Sequence, residues 1–288
     1  MGSLFSKRAA VIVLASIVLI GGFLILRDKP ETIPAPVQTL ISGPMQKTLG
    51  SSVQGRSIDS YTYGQGATHL VFVGGVHGGY EWNSVLLSYK LMDYLSDNPD
   101  AIPAGLTVTV IPNANPDGVF KIVGKEGRFT SNDVIAGDQS AGRFNANQVD
   151  LNRNFDCKWK PESTWKGNVV SAGTAAFSEP ETQAIRDFML KNKPAAVVFY
   201  HSQANAVYAS ECTAGILPGT RELMNTYSAA AGYPPINTFD AYEITGDVEG
   251  WLASINIPAI TVELKTHEAI EWDKNLAGIK ALFAFFAK

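Results

Sequence analysis

The chain has 288 residues, 45% of them hydrophobic and 17% charged, with a formal net charge of -4. So apolar a composition excludes a chain disordered over most of its length, and the acidic balance, with no basic stripe, excludes nucleic acid as a bulk partner. About 250 residues follow an apolar N-terminal segment, room for one sizeable α/β domain with a buried core and no need for a second.

In chain order, Met1–Arg8 is followed by an uncharged stretch from Ala9 to Leu26, 18 residues long. As a helix it would measure about 27 Å, close to the hydrocarbon thickness of a bilayer. Secretory h-regions are shorter and end near a small-residue cleavage site, whereas this run ends in Leu24-Ile25-Leu26-Arg27. Residues 1–27 are therefore expected to be a membrane anchor formed by a single transmembrane helix, with a cleaved signal segment as the alternative. The domain that follows would then be extracytoplasmic, or secreted if the segment is cut. Lys7 and Arg8 favour a cytoplasmic N-terminus, and Arg27 and Lys29 oppose them. Met1-Gly2 with Ser6 also fits a myristoylation pattern, read as chance beside a run able to span by itself. Residues 28–48, with Pro30, Pro34, Pro36 and Pro44, read as an extended linker, and residues 49–288 as the globular domain.

Four short apolar runs rich in Val, Ile and Phe read as buried strands: His69–Gly75, Leu106–Asn113, Ala195–His201 and Ile257–Leu264. A helix is expected over Asn83–Leu95, with Val85, Leu86, Tyr89, Leu91 and Met92 on its apolar face. Ser178-Glu179-Pro180-Glu181 opens another, with Ser178 as N-cap. The last, Asp273–Ala287, would bury Leu276, Ile279, Leu282 and Phe285 or Phe286. Strand alternating with helix indicates an α/β fold, a central mixed, mostly parallel sheet sandwiched by helices. Ligands in such sheets bind outside the carboxyl ends of the strands. Cys157 and Cys212 fit one disulfide in an oxidising compartment or two free thiols.

Three strand exits carry chemistry. Val76-His77-Gly78-Gly79-Tyr80-Glu81 places an imidazole and a carboxylate, ligand types that zinc prefers, around glycines that let the backbone turn sharply. A loop histidine beside a helix N-terminal acid is the plain alternative. The second exit supplies His201; two histidines and a carboxylate leave a fourth coordination position open, as in catalytic zinc sites. The third ends in Glu263, an acid costly to bury without a role and suited to accept a proton from water beside a metal. Arg143, Asn152 and Arg153, in Ala141–Phe155, offer donors for a carboxylate or an oxyanion, or a solvated loop.

Asn115-Pro116-Asp117-Gly118, then Val149-Asp150-Leu151-Asn152-Arg153-Asn154-Phe155, then Thr261-Val262-Glu263-Leu264, after a glycine-flanked histidine, resemble the zinc carboxypeptidases of the carboxypeptidase A type, including their bacterial murein-peptide branch. The resemblance covers roughly residues 50–288. It implies one zinc ion on His77, Glu81 and His201, Glu263 as general base and Arg143 as oxyanion stabiliser. Asn152 and Arg153 would hold the substrate's terminal carboxylate, Asp150 would orient His77, and Tyr242 would close over the substrate. The implied activity is hydrolysis of the C-terminal peptide bond of a peptide or cell-wall peptide. A murein-peptide amidase or N-acyl amino acid amidohydrolase is the alternative, and a non-catalytic peptide-binding module a further one. The family's spacing puts two residues between histidine and glutamate, whereas three separate His77 from Glu81. Asp247 and Glu249 fall where the family's side-chain pocket is lined. Pointing inward, they would favour a basic or diamino-acid side chain; pointing outward, they are ordinary helix N-terminal acids. His69 and His267 are read as structural or rim residues.

Overall fold

The computed structural model describes residues 43–288. The expected anchor over residues 1–27, and the linker as far as residue 42, lie outside the described residues. Among the described residues no helix is long and apolar enough to cross a membrane.

The strands are β1 (Met45–Ser51), β2 (Ser57–Gly64), β3 (Thr68–Val73), β4 (Leu106–Ile111), β5 (Glu162–Trp165), β6 (Asn168–Ser171), β7 (Ala196–Ser202), β8 (Ala206–Ala209), β9 (Glu211–Cys212), β10 (Gly215–Ile216), β11 (Pro235–Ile236) and β12 (Ala259–Leu264). The helices are α1 (Trp82–Asp97), α2 (Pro116–Val123), α3 (Pro180–Asn192), α4 (Pro218–Ala231), α5 (Val248–Ser254) and α6 (Trp272–Phe286). Eight strands form one sheet in the order β1-β2-β4-β3-β7-β12-β8-β11, while β5 pairs with β6 and β9 with β10 in separate hairpins. The centre, β4-β3-β7-β12, is parallel. β1, β2 and β8 pair antiparallel on its flanks. The α/β class and the mixed sheet agree with the sequence. β1, however, starts at Met45, inside the span read as linker.

Alternation along the central strands feeds two cores. Leu70 and Phe72 of β3, Val198 and Tyr200 of β7, and Ile260 and Val262 of β12 pack against α1, α4 and α6. Val71 and Val73, Val197 and Phe199, and Ala259 face the other way, toward α3, α5 and Leu151, Phe155 and Cys157. A strand buried on both faces has no polar side to present, which is why these segments read as unbroken apolar runs. The helix boundaries needed two corrections. The N-cap of α3 is Glu179, with extended backbone, and Ser178 instead donates to the Glu179 Oε1 at 2.8 Å. In α6, Phe283 is buried with Ile279 and Leu282, whereas Leu276, Phe285 and Phe286 are only partly covered. Three residues from Phe283 to Phe286 rotate a side chain nearly a full turn, so the aromatic choice depends on where the helix meets the sheet.

Cys157 and Cys212 form a disulfide across 55 residues, tying the loop after Arg153 to the β9–β10 hairpin; both are buried. Closing a loop of that length restricts the unfolded chain by up to about 4 kcal/mol. Replacing both cysteines by alanine should lower the unfolding free energy by about 2–4 kcal/mol, read from urea denaturation. An unchanged midpoint would show that the crosslink does not constrain the unfolded state.

Candidate metal centre

Adjacent parallel strands end at one level. In the β7–β12 ladder Glu263 stands opposite His201 and Leu264 opposite Ser202, while β3, on the other side of β7, runs out at Val73 opposite Phe199. Gly74 and Gly75 then carry the chain to His77. Gly75 takes a positive φ of 69°, and its N–H donates to Ser84 Oγ at 3.0 Å. The three chemically promising exits therefore open into one cavity of about 610 Å³, which His77, Glu81, Arg143, Asn152, Arg153, His201, Tyr242 and Glu263 all line.

The additional residue between His77 and Glu81 is absorbed by a tight turn, Gly78–Glu81, leading directly into α1. Gly78 sits at φ 46°, and a Cβ on Gly79 would lie 2.5 Å from Ile122 Cγ1 and 2.6 Å from Gly118 O. Only glycines let this turn pack on α2. Tyr80 is left facing the cavity, its ring 5.1 Å from Trp165 and 4.5 Å from His267, its hydroxyl accepting from Lys166 Nζ at 2.8 Å. Glu81, buried, turns inward: Oε2 lies 3.0 Å from His201 Nδ1 and accepts the Ser202 N–H at 3.2 Å.

His77, Glu81 and His201 each present a ligand atom within 4.8 Å of the others, and all three are buried. His77 Nδ1 lies 3.4 Å from Asp150 Oδ1, and His201 Nε2 lies 3.3 Å from Glu249 Oε1; neither nitrogen makes a well-directed hydrogen bond. Two imidazoles and a carboxylate, converging and incompletely partnered, form a donor set suited to zinc. Asp150 Oδ2 also accepts from Arg143 Nε at 2.8 Å, and Arg143 Nη1 stands 3.8 Å from Glu81 Oε1. The Arg143 guanidinium lies over the Trp165 ring at 4.6 Å.

Burial and charge oppose one another throughout the cluster. Burial, then Arg143, pulls the His77 pKa down to about 4. Burial would raise Glu81, but His77, His201 and Arg143 hold it at about 2. Burial likewise opposes ionisation of Asp150, yet Arg143 and His77 keep it well below the carboxylate range. His201 goes the other way: burial disfavours its charge, but Glu81 and Glu249 raise its pKa well above the usual value. Glu263 is raised to about 7 by burial and by the Glu81 charge, only partly offset by His201.

The loop 145–155 is tied down by amides. Asn154 Nδ2 donates to Ala172 O at 2.6 Å and Ala175 O at 2.9 Å, and Asn145 Nδ2 donates to Glu179 Oε2 at 2.7 Å. Arg153 Nη1 and Nη2 donate to Asn152 O at 2.6 Å and Thr164 O at 3.3 Å, while its buried Nε has no partner. Asn152 Oδ1 accepts the Val248 N–H at 2.9 Å. Tyr242 also lines the cavity, its ring 4.8 Å from Phe239. Glu249 is buried and Asp247 half-buried. Both line the cavity, with Asp247 Oδ2 also capping Gly250 N at 2.7 Å. Burial and the Glu249 charge raise Asp247 to about 6. His69 pairs with Thr109 Oγ1 at 2.8 Å, remote from these groups, whereas His267 lines the cavity and pairs with Ser202 Oγ at 2.7 Å.

Sequence reasoning missed Tyr80, Trp165 and Lys166. Trp165 and Lys166 were recoverable: Ser163-Thr164-Trp165 and Asn168-Val169-Val170 flank Lys166-Gly167, both at positive φ, the two-residue hairpin turn that Gly favours.

The zinc carboxypeptidase family model matches residues 45–271. The chain is 26% identical over 239 residues to gamma-D-glutamyl-L-diamino acid endopeptidase 1 of Lysinibacillus sphaericus, covering 75% of this chain and 59% of that one. It is 34% identical over 137 residues to murein peptide amidase A of Escherichia coli K12, covering 44% of this chain and 53% of that one. The chain thus spans little more than half the length of these curated relatives. Among solved structures, murein-tripeptide amidase MpaA from Escherichia coli O157 aligns with a TM-score of 0.61 at 24% identity, covering 85% of this chain and 92% of that one. Carboxypeptidase A from Helicoverpa armigera aligns at 0.65 and 19%, covering 85% and 68%. At these identities the structures share the fold.

The close packing of the His77–Glu81 turn is directly testable. Gly79→Ala should lose about 1–3 kcal/mol from overpacking against Ile122 and Gly118, measured by denaturant unfolding. Wild-type stability in that variant would mean the turn has slack.

Proposed function

The chain belongs to the zinc carboxypeptidase family, and from that premise we propose that it is a metallocarboxypeptidase acting on peptides, with His77, Glu81 and His201 holding one zinc ion. The observation that carries this reading is the convergence of those three buried side chains beside Glu263 at adjoining strand ends. Zinc held there would supply Lewis acidity, polarising a carbonyl and acidifying water.

The chain's own groups divide the remaining work. Glu263 lies on the cavity wall with one oxygen accepting Ala204 N–H at 3.2 Å. Its high pKa makes it a base strong enough to take a proton from water and pass it to the departing amine. Arg143, held by Asp150 and stacked on Trp165, offers a fixed cation to the negative charge that develops on the attacked carbonyl oxygen. Arg153 and Asn152 also line the cavity. The unpartnered Nε of Arg153 and the Asn152 amide would hold the terminal carboxylate of a peptide, which positions the last amide bond at the cluster. Tyr242, which also lines the cavity, would cover the bound chain. The N-terminal segment would anchor this domain on the outer side of a membrane or, if cut, release it; its apolar length supports that reading.

A second reading is favoured by the relatives named for murein peptides and gamma-D-glutamyl-diamino acid bonds. In a murein-peptide amidase the same base would operate, while the terminal-carboxylate contacts would matter less.

Glu263→Gln should lower kcat/KM by about 10²–10⁴-fold while leaving bound zinc unchanged. In the parent chain the ionised carboxylate is the working form, so hydrolysis should rise with pH. The midpoint of that rise should be about 7 or lower, because a nearby cation favours ionisation. Full activity of the glutamine variant would rule out this base.

Arg153→Ala separates the two readings. For a carboxypeptidase, kcat/KM on simple peptides should fall by at least about 10-fold, the loss of one charge-assisted contact of 1.5–3 kcal/mol. Near-intact hydrolysis would favour the amidase.

A further inference from the structure

His201 is gripped from behind by an acid that this chemistry leaves unused. Its Nδ1 faces Glu81 Oε2 at 3.0 Å, and its opposite nitrogen, Nε2, lies 3.3 Å from Glu249 Oε1. Both residues are almost fully buried, at 2% and 4% exposure. Nε2 is buried and makes no well-directed hydrogen bond, so this carboxylate is its charged neighbour.

Glu249 is itself held from three directions. Thr261 Oγ1, on β12, donates to Oε1 at 3.0 Å, and Asn152 Nδ2 approaches Oε2 at 3.4 Å. The first turn of α5 is fixed by the Asp247 cap on Gly250 N and by Val248 N donating to Asn152 Oδ1. Oε1 thus accepts from Thr261 and lies 3.3 Å from His201 Nε2, both of them protein groups. An acid waiting for a cationic substrate side chain would instead hold its oxygens free toward the cavity. The other imidazole of the cluster has an equivalent support in Asp150, 3.4 Å from His77 Nδ1. Metal-bound histidines commonly give their outer N–H to a carboxylate or carbonyl, which fixes the tautomer and the ring plane.

We propose that Glu249 is a positioning residue for His201, holding the ring with Nδ1 toward Glu81 and His77, and that it is not the acid selecting substrate side chains. The assignment rests on the reading of His77, Glu81 and His201 as a zinc site. It divides the two cavity acids that the sequence leaves equivalent: Glu249 serves the ligand set, and its charge is spent within the protein.

The test is zinc affinity of the full chain, measured by competition with a chromophoric chelator, for the parent and for Glu249→Gln. Glutamine keeps the shape and an acceptor for Thr261 but removes the charge facing Nε2. The zinc dissociation constant should rise about 10–100-fold, with thermal unfolding of the zinc-free protein unchanged. The ratio of kcat/KM for lysine- and phenylalanine-ending peptides at saturating zinc should stay within about twofold, since no substrate contact has been altered. Thr261→Val, which frees Oε1 without touching the charge, should weaken zinc binding in the same direction but less, and it decides the matter if the glutamine variant does not fold. Unaltered zinc affinity in both variants, or a KM rise confined to basic-ending peptides, overturns the assignment while leaving the zinc site intact. A parent chain that binds no zinc overturns both.

Discussion

The parallel pairing of β7 with β12 is the constraint on which the site depends. It sets Glu263 beside His201 across one ladder, and β3 on the other side delivers His77 within the same few ångströms. A shift of one residue in either strand would turn its terminal side chain to the opposite face of the sheet. Such a shift is opposed by the cores on both faces. Phe199 and Tyr200 are each fully buried, in different cores, so neither can exchange places without an apolar loss on both sides.

That register concentrates charge where water is scarce. Glu81, Asp150 and Glu249 are buried around two imidazoles and one guanidinium. Arg143 is shared between Asp150 and Glu81, and His201 lies between Glu81 and Glu249. Removing an ion from water costs several kcal/mol even after relaxation, so the arrangement holds only while each charge has its partner. The same logic explains why neighbouring carboxylates differ so much. Glu81 is held at about 2 by surrounding cations that outweigh its burial, whereas Glu263 is pushed up to about 7 by burial and then by the Glu81 charge. One acid is tuned to remain a ligand-type anion, and the other can exchange a proton near neutrality.

The loops around this centre are stiffened by means other than regular hydrogen bonding. The buried amides of Asn145 and Asn154 satisfy backbone and carboxylate groups that irregular chain would leave exposed, as buried polar groups require. The Cys157–Cys212 crosslink then joins this loop to the hairpin beside α5. Arg143, Asn152 and Arg153 are consequently presented from short 3-10 turns, Ser140–Arg143 and Leu151–Arg153, in a segment that is nonetheless tightly specified.

Much of this was legible in the chain itself. Runs such as Val197-Val198-Phe199-Tyr200 announce doubly covered strands, and a histidine or glutamate at the end of each marks the exits where ligands bind. Strand alternating with helix indicates the α/β class, and the strand exits nominate His77, Glu81, His201 and Glu263, whereas Arg143 takes its role from the family resemblance of its segment. Tertiary structure alone decided how Gly78 and Gly79 absorb the additional residue before Glu81, which phenylalanine α6 buries, and that Cys157 meets Cys212. It also decided that Glu249, on the cavity wall, stands 3.3 Å from His201 Nε2. The reason is physical. Local pattern reports which face of an element is apolar, but Glu81 and His201 meet across 120 residues of chain, and Asn152 and Glu249 across 97. Such contacts are set by strand register and loop packing, which no short window of residues contains.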